Sequence, residues 1–158
     1  MTVDDVDFAV AAYREEGRWT VVPLPPHAVV TAEGLLRSLR QLPGEGGVLG
    51  IVSVADEFFV VARTLGSSAR VMISDALALA DWSLAEELAD EIGLEWDDED
   101  LDDVVVAGDV GLCEDLGLDA PEMLMICEDD EAYIDEMVRT ISKRLGFARE
   151  LAEALRRR

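Results

Sequence analysis

Side chains that carry most enzyme chemistry are scarce in this sequence, which has one His and two Cys among 158 residues. The single imidazole, His27, lies in the turn Pro25-Pro26-His27-Ala28 and reads as an exposed turn residue. One imidazole so placed cannot support most nucleophile–base triads. Two Cys and one remote His also fall short of the three or four ligands that a zinc site needs. Cys113 and Cys127 form no C-x-x-C pair and lie in apolar-periodic stretches, so both are expected to be buried, reduced thiols. No apolar run approaches the roughly 20 residues of a membrane span. Met1-Thr2-Val3-Asp4-Asp5 has neither the basic nor the apolar region of a secretory leader. These absences predict a soluble, cytoplasmic protein with no cofactor and no catalytic residue.

Basic residues are missing where acids are densest. The chain holds 35 Asp and Glu against 13 Lys and Arg, a formal charge of −22, and the imbalance is local. Residues 1–74 carry 9 acids and 6 bases, residues 75–137 carry 24 acids and no base, and residues 138–158 carry 2 acids and 7 bases. A surface this negative repels phosphates and anionic headgroups, which argues against direct binding to nucleic acid or membrane and for a basic protein partner. The densest run is Glu95-Trp96-Asp97-Asp98-Glu99-Asp100-Leu101-Asp102-Asp103. Like charges so close keep a segment extended, so 95–109 is expected to be a mobile acidic loop. It reads either as a solubilising linker or as a docking segment. In the second reading Trp96 and Leu101 anchor a partner while Asp97, Asp98, Asp100, Asp102 and Asp103 steer it.

Half of the residues are apolar, enough for a core. Val6, Phe8, Val10 and Ala12 alternate along one strand, and a Gly-containing turn at 14–18 leads into Trp19-Thr20-Val21-Val22, a hairpin pattern. Leu35, Leu36, Leu39 and Leu42 recur at helical spacing behind Thr31, a candidate N-cap. Pro43–Gly47 then launches strands at 48–54, 58–64 and 70–74, whose short connections demand antiparallel neighbours. The strands around Ile51 and Val60 are almost continuously apolar, which predicts a sheet covered on both faces. The second half reads as helical. A helical turn at 75–80 precedes a capping box of Ser83 and Glu86, and the helix behind it stops at Gly93. A short strand is expected at Val104–Val106 and a helical turn at 112–116, closed by Gly117. Further helices follow: one opened by Asp119 with Pro121, one from about Tyr133 to Gly146, and one over 147–155. The expected fold is thus α+β: an antiparallel sheet of about five strands in ββαβββ order, followed by a helical C-terminal half. By that order alone it is similar to the roadblock and longin type of sandwich. The divisions are 1–94 as the sheet domain, 95–109 as the acidic loop, and 110–158 as helices packed on the same core.

Other chemistry finds weak support. Asp98, Asp100, Asp102 and Asp109 fit an EF-hand frame, but Asp103 occupies the glycine position and Asp109 the place of the bidentate Glu. Gly44-Glu45-Gly46-Gly47 lacks the Lys-Ser/Thr of a phosphate loop and reads as a helix-to-strand turn. With so many acids, paired carboxylates arise by chance and point to no acid/base enzyme.

Several segments nonetheless form a pattern: Phe8–Tyr13 with Gly17-Arg18-Trp19, Val71–Ala76, the acidic stretch 95–103, Gly108-Asp109 with Leu116-Gly117-Leu118, and Arg144-Leu145-Gly146-Phe147. In these the chain resembles the actinobacterial tRNA adenosine deaminase-associated protein family over nearly its whole length. The zinc-deaminase signature H-x-E with a later P-C-x-x-C is absent, since Ala28-Val29 follow His27 and neither Cys follows a Pro. The resemblance implies association with a tRNA adenosine deaminase, by gene neighbourhood, and carries over no activity or site residue. The expectation is a non-catalytic acidic accessory protein that binds a basic partner, plausibly that deaminase. A homodimeric scaffold and a small-molecule binder or enzyme are the alternatives.

Overall fold

A computed structural model describes residues 1–157; Arg158 and the side chain of Asp103 lie outside the described residues. Strands Val6–Glu15 (β1) and Arg18–Pro23 (β2) form the expected hairpin. Glu16 and Gly17 join them with φ of 52° and 76°, the pair of left-handed residues that suits a tight hairpin with twisted strands. Val48–Val54 (β3), Phe58–Leu65 (β4) and Ser68–Ile73 (β5) follow, and β3 returns to pair with β1. The sheet is antiparallel throughout, in the order β2-β1-β3-β4-β5-β6. The sixth strand, Ala107–Gly108 (β6), replaces the strand expected at Val104–Val106. Its pairing is shifted because only a glycine can come this close to β5: Gly108 has φ of 87°, and a Cβ there would meet the Val71 carbonyl at 2.3 Å. Of the three valines, Val105 accepts one hydrogen bond from the Ala76 N–H at 2.8 Å.

The continuously apolar strands have two buried faces. Phe8, Val10, Leu49, Ile51, Phe59, Val61 and Met72 point to one side. Ala9, Ala11, Val52, Phe58, Val60 and Ile73 point to the other. Helices Ala32–Arg40 (α1), Ala78–Asp81 (α2) and Ser83–Glu91 (α3) cover the second face. Helices Ala120–Glu128 (α4), Ile134–Leu145 (α5) and Ala148–Arg157 (α6) cover the first. Each layer therefore buries an apolar stripe against its own side of the sheet.

Local signals explain most helix ends. The Thr31 hydroxyl accepts the Gly34 N–H at 3.0 Å, and the Asp119 carboxylate accepts the Glu122 N–H at 2.9 Å with Pro121 in the first turn. Gly146, at φ of 100°, ends α5. The box at Ser83 and Glu86 does not form. Trp82 occupies the N-cap, with its indole N–H donating to Glu57, and Ser83 is the first residue inside the helix. Trp19 clamps the C-terminal layer to the hairpin: its indole N–H donates to the Leu145 carbonyl at 3.0 Å, and its ring lies 4.9 Å from that of Phe147.

Candidate protein-docking site

Four segments meet beyond the shared ends of β3, β4 and β5: the turn at 55–57, the stretch Ser74–Leu77, the segment Leu101–Val105, and the link from α4 to α5. They enclose a cleft of about 520 Å³. Carboxylates hold the backbone of three of these segments. Ala55 and Asp56 have φ of 51° and 53°, and the Asp56 N–H donates to the Asp7 carboxylate at 2.7 Å. Glu57 accepts the Trp82 indole N–H at 2.9 Å, and that indole packs 5.9 Å from Phe58. Asp75 accepts the Leu77 N–H at 3.0 Å, and Asp129 accepts the Glu131 N–H at 3.1 Å.

Seven carboxylates line the cleft, from Asp56, Glu57, Asp75, Asp102, Glu128, Asp129 and Asp130, and among the described residues no basic side chain does. None of the five ion pairs among the described residues involves them. Between the acids lie apolar groups left open to water. Leu77 is 49% exposed, Val104 50%, Val105 42% and Tyr133 67%, four of the seven large apolar side chains exposed among the described residues. Apolar groups ringed by charge of one sign mark an interaction surface better than either feature alone.

Only part of the segment singled out from sequence reaches this cleft. Asp97, Asp98, Asp100 and Asp102 are exposed, and the Asp97 carboxylate accepts the Asp100 N–H at 3.1 Å. Leu101 is not a free anchor: it is 4% exposed and packed into the core on the α1–α3 side, where half-buried Trp96 also rests. Burial of this apolar pair ties the acidic run to the protein's own core. Asp102 and Leu101 line the cleft; Trp96, Asp97, Asp98 and Asp100 do not. Sequence reasoning passed over Leu77, Val104, Val105, Tyr133 and the acids at 128–130. The unbroken run Glu128-Asp129-Asp130-Glu131 ahead of a tyrosine was the available signal.

The cysteines are free. Burial pushes the Cys113 thiol up to about 11, and burial with the nearby Glu128 charge pushes the Cys127 thiol, at the cleft wall, up to about 12. Neither thiol is poised as a nucleophile at neutral pH. Among the described residues no three His, Cys, Asp or Glu side chains converge as metal ligands, and no helix is long and apolar enough to cross a membrane.

Charge at the opposite end of the strands is paired. Arg63 on β4 is 8% exposed and donates to both oxygens of Asp115, at 2.5 and 2.9 Å, and to the carbonyls of Leu112 and Gly46, each at 2.9 Å. The hydrogen bond from Arg63 holds the Asp115 carboxyl below its ordinary range, and the same bond holds the guanidinium in its charged form.

No solved structure matches the chain. The chain is 38% identical over 152 residues to protein Rv3753c of Mycobacterium tuberculosis, an alignment that covers 95% of this chain and 88% of that protein. A family model matches residues 7–148, nearly the full sheet and every helix except α6. The chain belongs to the Rv3753c-like tRNA adenosine deaminase-associated protein family.

Proposed function

We propose that the protein is a non-catalytic accessory protein that docks a basic partner, a tRNA adenosine deaminase, through its acidic end. The cleft carries this reading, lined among the described residues by seven carboxylates and no base, with exposed Leu77, Val104, Val105 and Tyr133 beside them. An enzyme that grips tRNA must present Lys and Arg to RNA phosphates, and an acidic surface of this kind is their complement. The family's name supports the choice of partner. Asp97, Asp98, Asp100 and Asp102 extend the negative field at and beside the cleft and speed encounter, while Leu101 and Trp96 hold that segment in place from behind. Docking there competes with tRNA for the deaminase.

Titration calorimetry of the purified protein with its host's tRNA adenosine deaminase tests this, at salt of about 50 mM and about 300 mM, with and without tRNA. The expected result is binding that weakens with salt and that tRNA displaces. Absence of binding at both salts would overturn the proposal.

A further inference from the structure

Building on that reading, we infer that the cleft takes one protruding segment of the partner, a short stretch with apolar side chains flanked by Lys or Arg, rather than a flat basic face. Shape is the first reason. The surface here is concave, an open cleft of about 520 Å³ that a flat partner face would leave unfilled. The second reason is the arrangement of the lining. Ile134, Met137 and Leu101 give an apolar floor, Val104 and Tyr133 give apolar edges, and carboxylates surround them. An occupant must bury apolar groups at the centre and offer cations around them, the pattern of a central anchor with a charged rim.

Charge selects the source of that segment. Polyanions and anionic lipids are repelled, and the net charge of −22 sets two copies of this chain against one another at long range despite the basic residues at 138–158, so the occupant is assigned to a different, basic chain. On helix α4, Met125 is 71% exposed and stands one turn before Glu128 at the cleft wall.

The test uses fluorescein-labelled peptides of about 12 residues, a little over three helical turns in length, that tile the basic stretches of the host's deaminase. Fluorescence anisotropy is read with the native protein and with Val104→Asp and Tyr133→Ala, both at exposed positions, each variant first shown to melt as the native protein does. One tile is expected to bind the native protein and to displace the whole enzyme. Each substitution should weaken both tile and enzyme by about tenfold or more, the loss usual for an anchor residue. Whole enzyme that binds while no tile does, with both variants binding it as tightly as native, would overturn the segment-in-cleft mode and leave acidic docking standing. Failure of both enzyme and tiles overturns both proposals. A dimer in sedimentation that Val104→Asp dissociates would assign the cleft to a second copy and overturn the inference.

Discussion

The two ends of the sheet handle charge in opposite ways. At the end where β4 finishes, Arg63 is buried, and every group it meets accepts from it: two carboxylate oxygens and two carbonyls. At the end where β4 begins, seven carboxylates gather with no cation among the described residues of the lining, and four apolar side chains stand open beside them. A folded chain gains nothing in stability from crowding like charges, whereas a forked guanidinium shared by three segments fixes their positions. Arg63 accordingly ties together β4, the approach to β3 and the loop before α4. The cleft has no such internal reason for its charge, which points its chemistry outward.

The sharpest way to break the contrast is at Arg63. Arg63→Ala leaves the carbonyls of Leu112 and Gly46 and the Asp115 carboxylate without their donor, at a cost of about 3 kcal/mol in urea unfolding. Arg63→Lys keeps the charge but loses the fork, and is expected to restore less than half of that. An unchanged urea midpoint for Arg63→Ala would remove the structural role assigned to this end. Gly108→Ala comes next. Its Cβ would strike the Val71 carbonyl in a backbone conformation that favours glycine, so about 2 kcal/mol should be lost as β6 is pushed from β5. Amide hydrogen exchange at Asp109, whose N–H donates to Val71 at 2.8 Å, should rise with it.

At the acidic end, substitution should act in the other sense. The pair Glu128→Gln and Asp130→Asn reduces repulsion without touching any hydrogen bond described above. Stability should stay within about 0.5 kcal/mol of native, shifted upward. Association with the deaminase at low salt should slow by about tenfold, because steering depends on the summed field. Stopped-flow association rates and thermal melts measured on the same samples separate the two effects. A variant that loses stability yet associates at the native rate would reverse the roles given to the two ends.

Much of the fold could be read from residue order, because its signals are local. The hairpin, the three following strands, the caps at Thr31 and Asp119 and the stop at Gly146 each depend on a few neighbouring residues. Burial on both sheet faces was legible from the near-continuous apolar runs around Ile51 and Val60. Two shifts were not. The box at Ser83 and Glu86 gave way to a helix start one residue earlier, at Trp82, whose indole reaches a partner distant in sequence, Glu57. The strand expected at 104–106 slid to Ala107–Gly108 because the closeness of Val71 matters more there than β-propensity. The site was half legible. Net charge located the acidic middle, but composition cannot say which apolar residues within it turn inward. Leu101 and Val104 stand three apart in the same acidic surroundings, and one is 4% exposed while the other is 50% exposed. Tertiary packing decides between them.

The smallest effect concerns proton linkage at Asp115 and sharpens the comparison most cleanly. Arg63 lowers this carboxyl below its ordinary value of 3.8, so the stability it contributes is fully present above that value and is lost as pH falls through the lowered one. Its side chain is 62% exposed, so solvent screens the pair, and Asp115→Asn should cost only about 0.5 kcal/mol at neutral pH. Urea midpoints of native protein and variant should therefore differ slightly near neutrality and converge in acid. A gap that persisted unchanged below the lowered value would mean that shape, rather than charge, is what Arg63 takes from Asp115. Removing a carboxylate then has opposite signs at the two ends: it weakens the fold where the acid has a buried cation to answer, and relieves it where the acids face only one another.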